Sequence, residues 1–338
     1  MKNNSKTIII TGATGLVGKN LIKKIVLFFP KNEILCLIKD GSDAKPEKSG
    51  RTLLKTIGLE VKVVDLTNKA TLTNLPKNPK LVIHLAAETD TAKKNHQVNF
   101  EGVKNLYTSL GKLEAKTHFI HISTMALVSG RPDCLFPISE SSKDYPTNEY
   151  TRTKLKGERF LIKKCQRDKF ALTILRPNTI YGQGYRENSL FDKVKKGVEN
   201  NSLSVKINWP GKSALIHVDD VVNAILFFSK KKPVRGIPEK YLLYAENLSI
   251  AEISKIIHKR LKIKYKAINC PSFFWKVIAP LRLVFPFFEK IMTPGLYNNL
   301  WRLSLIIDDA VWCQTDKLTK VYPKWNPKKL SESIKNIM

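Results

Sequence analysis

An α/β fold is predicted, a Rossmann-type doubly wound parallel sheet with a smaller C-terminal substrate-binding region. Three observations carry it. Short apolar runs alternate with helical stretches through the first half of the 338-residue chain. A glycine-rich turn joins the first run to the first helix. Beyond Arg176 the alternation loosens, while proline and aromatic residues become more frequent. Apolar strands separated by helices imply βαβ units and a parallel sheet buried on both faces.

In chain order, Thr7–Ile10 reads as the first strand, followed by the turn and a helix to about Phe29. Ile34–Ile38 and Val61–Val64 read as the second and third strands. Leu81–Leu85 is the fourth, with a helix around Gln97–Leu110 after it. Phe119–Ile122 is the fifth, Tyr150–Lys164 a helix and Ala171–Leu175 the sixth strand. Right-handed crossovers then give a doubly wound sheet. The expected division places residues 1–180 in a dinucleotide-binding domain, joined by about 214–245 returning to it. Residues 181–213 and 246–338 form the substrate-binding region.

The turn Thr11-Gly12-Ala13-Thr14-Gly15-Leu16-Val17-Gly18 follows a strand and opens a helix. Gly12 permits the tight turn, Gly15 lets a pyrophosphate approach the backbone, and Gly18 allows close helix–strand packing. The helix N-terminus then holds the phosphate charge. At the end of the second strand, where many dinucleotide folds place an acid for the ribose 2′-hydroxyl, Ile38 is followed by Lys39. An apolar residue followed by a cation suits a 2′-phosphate, which leans the cofactor toward NADP over NAD. The competing reading makes Lys39 a solvated strand-end lysine and gives the binding to Asp40.

Tyr150 and Lys154 stand at i and i+4 and so share one helix face. A phenol with a pKa near 10 is a poor base at neutral pH, and a nearby ammonium with an oxidised nicotinamide lowers that value. Tyr150 can then exchange a hydroxyl proton while hydride moves to or from the cofactor. Lys154 also holds the ribose. Ser123 and Thr124 lie at the carboxyl end of the fifth strand, where parallel strands face a ligand. A hydroxyl there orients the substrate oxygen, unless it only terminates the strand by bonding backbone.

Together these residues resemble the extended short-chain dehydrogenase/reductase family, the group containing NAD-dependent epimerases and dehydratases. Further segments agree over residues 7–228. Asp65-Leu66 resembles the adenine-contacting turn, His84-Leu85-Ala86-Ala87 the fourth-strand motif lining the cofactor, and Val98-Asn99 with Gly102 the helix motif behind the site. Arg176-Pro177-Asn178-Thr179-Ile180-Tyr181-Gly182 resembles the segment leaving the sixth strand. His217-Val218-Asp219-Asp220-Val221 resembles the return to the cofactor domain, and Asp316-Lys317-Leu318 a late family motif. The resemblance implies cofactor contacts at Gly12, Thr14, Gly15, Leu16, Val17, Lys39, Asp65, Leu66, Leu85, Ala86, Ala87, Asn99, Tyr150, Lys154 and Pro177, with no metal. It also implies a homodimer formed through the Tyr/Lys helix.

Two departures narrow the chemistry. Sugar-nucleotide 4,6-dehydratases carry Thr-Asp-Glu after the fifth strand, whereas this chain has Thr124-Met125-Ala126, without carboxylates for water elimination. Alignment on the strand puts Thr124 at the catalytic hydroxyl. Alignment on the downstream Val128-Ser129-Gly130 puts Met125 there; the strand is preferred, because a loop absorbs an insertion more easily. Thr179, with Asn178 beside it, stands where 4-epimerases often place a phosphate-contacting Asn. The expected activity is hydride transfer at a secondary alcohol or ketone of a nucleotide- or lipid-linked sugar. An NADP-dependent reductase or 3β-hydroxysteroid-dehydrogenase-like enzyme for a hydrophobic alcohol is the alternative, and a non-catalytic nucleotide-binding protein a further one.

The formal charge is +29, from 58 basic and 29 acidic residues. It is spread evenly along the chain rather than gathered into an arm, so a solvated lysine-rich surface is expected and no nucleic-acid partner. Five scattered cysteines and a short apolar N-terminal run fit a soluble cytoplasmic protein with free thiols. The aromatic segment 273–288 has three open readings: substrate-region core, a lid over a lipid-like substrate, or peripheral contact with a bilayer. Pro280 and Pro286 interrupt any long helix within it. The basic run Lys255–Lys266 reads as a solvated strand face, or as a phosphate or headgroup contact.

Overall fold

Ten strands make two sheets in the computed structural model, which describes residues 7–39, 45–129, 137–280, 284–307 and 312–337. The strands are β1 (Ile8–Thr11), β2 (Ile34–Ile38), β3 (Glu60–Val63), β4 (Leu81–His84), β5 (His118–Ile122), β6 (Ala171–Pro177), β7 (Thr179–Tyr181), β8 (Lys212–His217), β9 (Glu239–Leu243) and β10 (Glu246–Ser249). The large sheet is parallel throughout and runs β3-β2-β1-β4-β5-β6-β9. Strand order reverses between β1 and β4, which opens a crevice at their carboxyl ends. A small sheet, β10-β8-β7, lies beside it.

The helices are α1 (Leu16–Ile25), α2 (Lys45–Ile57), α3 (Glu101–Ser109), α4 (Ala126–Ser129), α5 (Glu149–Asp168), α6 (Leu190–Glu199), α7 (Val218–Lys230), α8 (Ile250–Leu261), α9 (Ser272–Ile278), α10 (Phe285–Phe288), α11 (Pro294–Ile306), α12 (Lys317–Val321) and α13 (Leu330–Ser333). They cover both faces of the large sheet, which is why its central strands need not alternate polar and apolar residues. On β1, Ile8 and Ile10 point to one layer, with Leu21 and Ile22 of α1 and Val221 and Ile225 of α7. Ile9 points to the other, with Val103 and Leu106 of α3 and Leu161 of α5. Each isoleucine is fully buried, and burying such a side chain contributes roughly 1.5–3 kcal/mol.

β3 departs from burial on both faces. It is the edge strand, and Val61 and Val63 are exposed beside Glu60 and Lys62, charges that discourage pairing with another chain. The first helix ends at Ile25 rather than near Phe29, because the chain turns through the bonds Leu27 N–H to Lys24 O and Phe28 N–H to Ile25 O. The basic run that reads as a strand face is instead mostly α8. Ser249 caps it in a reciprocal box with Glu252, and Ile253 and Ile257 are buried four residues apart. That spacing is helical; the lysines follow the solvent side.

β8 belongs to the small sheet, whereas β9 and α7 belong to the large sheet's layers. Residues around α12 join them: Leu318 is buried in the same core, and Tyr322 stacks on Phe227 at 4.1 Å. The substrate-side core is built by Tyr181, Phe191, Val194, Leu215, Ile253, Ile257 and Leu330. The core reading of the aromatic segment is overturned. Among the described residues only Trp275 is buried there, against Trp209, while Phe273, Phe274, Val277, Phe287 and Phe288 stand exposed. Cys36 and Cys165 are free thiols that burial pushes up to about 12 and about 11; Asp40, Gly130 and Cys134 lie outside the described residues.

Candidate active site

The crevice is floored by the glycine turn. Gly12 has φ +70°, and a Cβ there would stand 2.7 Å from the Ala86 amide nitrogen. A Cβ on Gly18 would stand 2.2 Å from the Gly12 carbonyl oxygen. Gly15 differs: only the Gly12 oxygen, at 3.5 Å, lies near its missing Cβ. Space above Gly15 is therefore open. Gly15 is the N-cap of α1, no side chain caps it, and no acid sits in the first turn. The exposed amides and the positive end of the helix dipole suit a pyrophosphate. Thr11 ties the crevice's two walls, accepting from the Ala86 N–H at 3.2 Å and bonding His84 Nδ1 at 2.7 Å. The cradle fits a dinucleotide, with Thr14, Leu16 and Val17 on one wall and Leu85, Ala86 and Ala87 on the other.

At the adenosine end, Lys39 leaves β2 largely exposed and sits 3.7 Å from Asp65. Two hydrogen bonds from Thr67 hold the Asp65 carboxyl below its usual range. Leu66 is buried behind it. Asn99 has a different occupation from a direct cofactor contact. Its carboxamide brackets the Glu88 backbone, accepting from the N–H and donating to the carbonyl, both at 3.0 Å, and reaches Thr153 on α5 at 3.4 Å. It thereby fixes the loop after β4 against the catalytic helix. Pro177 closes the end of β6, where its carbonyl accepts from Met125 N–H at 2.9 Å.

The expected catalytic groups converge at the end of β5. Asn148 caps α5 through Thr151 in a reciprocal box, so Tyr150 falls in the first helical turn. Its phenol is hydrogen-bonded to Thr124. Burial pushes the phenol above its usual value, while that bond and the charge of Arg186 pull the other way. Thr124 Oγ1 also accepts from the Ala126 N–H at 3.1 Å. Ser123 Oγ is buried and has no partner among the described residues. Met125 is buried in the core with Leu127, Val128 and Leu155, so Thr124 is the residue that meets the phenol.

Lys154 lies on the same helix face, almost fully buried, and donates to the Ile122 carbonyl at 2.6 Å. Burial lowers its ammonium to about 8, with Glu158 opposing. For the Tyr150 phenol the groups that oppose burial are Thr124 and Arg186. Beneath the pair, His84 and His121 stack at 5.4 Å. Burial, then Lys154, holds His84 at about 3 and His121 well below its usual value. Both are neutral at pH 7. Arg176 locks β6 to α5, pairing with Glu158 at 2.9 and 2.5 Å and with Asp144 at 2.8 Å.

Sequence reasoning missed the cations at the mouth. Arg186 donates to Thr89 at 2.9 Å and Arg302 of α11 to Thr91 at 2.8 Å. Lys193 of α6 completes the group: burial and the charges of Arg302 and Arg186 lower its ammonium. Burial and Arg186 lower Arg302 likewise, with Asp90 the opposing carboxylate. Three mutually repelling cations, one of which acts on the Tyr150 phenol, are an anion-seeking arrangement. No sequence signal could gather them, because the two threonine partners lie 97 and 211 positions away.

The NAD dependent epimerase/dehydratase family model matches residues 8–243. UDP-glucose 4-epimerase of Vibrio cholerae is 29% identical over 234 residues, covering 65% of this chain and 66% of that enzyme, just under two thirds of its length. Among solved structures, UDP-glucuronic acid 4-epimerase from Bacillus cereus, in complex with UDP-glucuronic acid and NAD, superposes with a TM-score of 0.71 at 17% identity. That likeness covers 97% of this chain and 96% of the other. RMD from Pseudomonas aeruginosa, complexed with NADPH, gives 0.58 at 19% identity over 78% of this chain and 86% of its own. At these identities the structures show a shared fold. The chain belongs to the NAD dependent epimerase/dehydratase family.

Proposed function

We propose that this family member is an NAD(P)-dependent oxidoreductase or epimerase acting at a secondary alcohol or ketone of a sugar that carries an anionic group, nucleotide- or lipid-linked. The observation that carries the reading is the convergence of Tyr150, Lys154 and Thr124 at the carboxyl end of β5, where Lys154 reaches the Ile122 carbonyl and Thr124 meets the phenol. When bound, a nicotinamide dinucleotide supplies the hydride chemistry. Tyr150 Oη gives or takes the substrate's hydroxyl proton. Its raised pKa makes the resting group a proton donor. Thr124, held by the Ala126 amide, orients the substrate oxygen. Lys154, drawn to the Ile122 carbonyl, is placed to hold a ribose hydroxyl.

The cation group at Arg186, Lys193 and Arg302 favours a phosphate-bearing sugar over a hydrophobic alcohol. The described part of the aromatic segment does not favour the apolar pocket that a steroid-type substrate needs, since Phe273, Phe274, Val277, Phe287 and Phe288 are exposed. For the cofactor, Lys39 at the end of β2 supports NADP, although Asp65 already engages it. The Thr124-Met125-Ala126 segment offers no carboxylate for water elimination, which supports reduction or epimerisation rather than dehydration.

A panel of nucleoside-diphosphate sugars with NAD or NADP, followed by reduced-nicotinamide absorbance and product analysis, tests the reading. Tyr150→Phe is expected to lower turnover by about 10²–10⁴-fold while the cofactor still raises the melting temperature. A Tyr150→Phe enzyme with wild-type turnover would overturn the assignment. An Arg302→Ala variant is expected to raise KM for the phosphorylated sugar more than it lowers kcat.

A further inference from the structure

We propose that the face built by α9, α10 and the chain after it docks on the surface of an anionic lipid bilayer. The segment carries one short pattern twice: Phe273-Phe274-Trp275-Lys276-Val277 and Phe287-Phe288-Glu289-Lys290-Ile291. In both copies the two phenylalanines and the terminal aliphatic residue are exposed; Val277 is 70% accessible, Phe287 78% and Ile291 79%. In both, the lysine is exposed as well. The third position alone turns inward. Trp275 packs on Trp209 at 5.2 Å, and Glu289 is engaged by the Arg152 guanidinium. Each copy is thus anchored at its centre and offers apolar side chains with an amine between them.

Large apolar groups left in water mark a contact surface. Interleaved lysines select its chemistry: aromatic and aliphatic groups enter the headgroup–acyl boundary while amines stay with the phosphates. Charge agrees with an anionic surface. Between residues 271 and 307 the sequence holds one carboxylate, Glu289, and Arg152 already neutralises it. Exposed Lys262, Lys264 and Lys266 lead into the segment. Among the described residues no helix is long and apolar enough to cross a membrane, so the docking is peripheral. The face is fixed to the catalytic body. Besides Arg152–Glu289, the Tyr297 hydroxyl of α11 donates to the Thr147 carbonyl at 2.9 Å, just ahead of α5.

Sedimentation of the full chain with phosphatidylcholine vesicles containing about a third phosphatidylglycerol tests this directly. Binding is expected to these vesicles at low salt, and to fall on pure phosphatidylcholine. Phe273→Ser with Phe287→Ser, and separately Lys276→Glu with Lys290→Glu, are each expected to lower the bound fraction by roughly tenfold. An unchanged cofactor-induced thermal shift shows that both variants are folded. The readout is independent of turnover, so its failure leaves the catalytic reading standing, and the reverse. Wild type remaining in the supernatant with anionic vesicles overturns the proposal. So does a dimer that both variants convert to monomer without any vesicle binding, which assigns the face to a second copy of the chain.

Discussion

The central sheet and the segment from 271 to 307 are both rich in large apolar residues, yet they place them oppositely. In the sheet, Ile8, Ile9, Ile10 and Phe119 are fully buried because helices cover both faces and the ladder satisfies the backbone of the central strands. In the C-terminal segment, two short helices interrupted by Pro280 and Pro286 have no sheet beneath them. Phe273 and Phe287 remain in solvent. The ion pairs differ in the same way. Arg176–Glu158 is shut away from water, whereas Arg152–Glu289 is partly open to it. Apolar composition alone therefore does not decide burial; it needs a facing layer long enough to cover the side chains.

The comparison breaks most easily at the glycine turn. Gly18→Ala drives a Cβ into the backbone of Gly12 and Ala13, so a loss of about 3 kcal/mol or more in chemical denaturation is expected, with loss of the cofactor-induced thermal shift. Glu158→Gln leaves the buried Arg176 guanidinium with Asp144 as its remaining carboxylate and is expected to cost about 3 kcal/mol. Glu289→Gln, at the exposed pair, is expected to cost about 1 kcal/mol or less. Equal effects at the two sites would remove the distinction drawn between them.

Acid gives a third contrast. His84 and His118 are held at about 3, and His121 well below its usual value, all mainly by burial. The unfolded chain binds these protons first, so the histidine contribution is neutral above the ordinary imidazole pKa and destabilises progressively as pH falls from about 6.5 toward 3. The urea midpoint is expected to drop over that window. His121→Phe should drop less, and an identical pH profile would show that the buried histidines are not responsible. The smallest effect belongs to the open face. Phe287→Ser is expected to change unfolding free energy by less than about 0.5 kcal/mol, against about 3–5 kcal/mol for Phe119→Ala in the sheet.

Strands such as Ile34–Ile38, the glycine turn and the Tyr150/Lys154 face were legible because each is local: periodicity, backbone freedom and i, i+4 spacing are properties of neighbours in the chain. The end of α5 and the helix over Ile250–Leu261 were less so. Left-handed Lys169 and Lys262 close them, and a Ser249–Glu252 box opens the second within a run of lysines that also suits an exposed strand. The four strands after Arg176 are not legible locally, because β7 and β10 are short and partly exposed and join β8 in a separate small sheet.

By itself the sequence determined the parallel sheet, the glycine turn and the shared face of Tyr150 and Lys154, since steric and periodic rules act over a few residues. Only the tertiary structure decided which hydroxyl meets Tyr150, that Lys154 donates to the Ile122 carbonyl, and that Arg186, Lys193 and Arg302 come close enough to repel one another. It also decided that the aromatic segment stays uncovered. These depend on which distant elements approach and on how deeply water is excluded between them, and charge and burial act through space rather than along the chain.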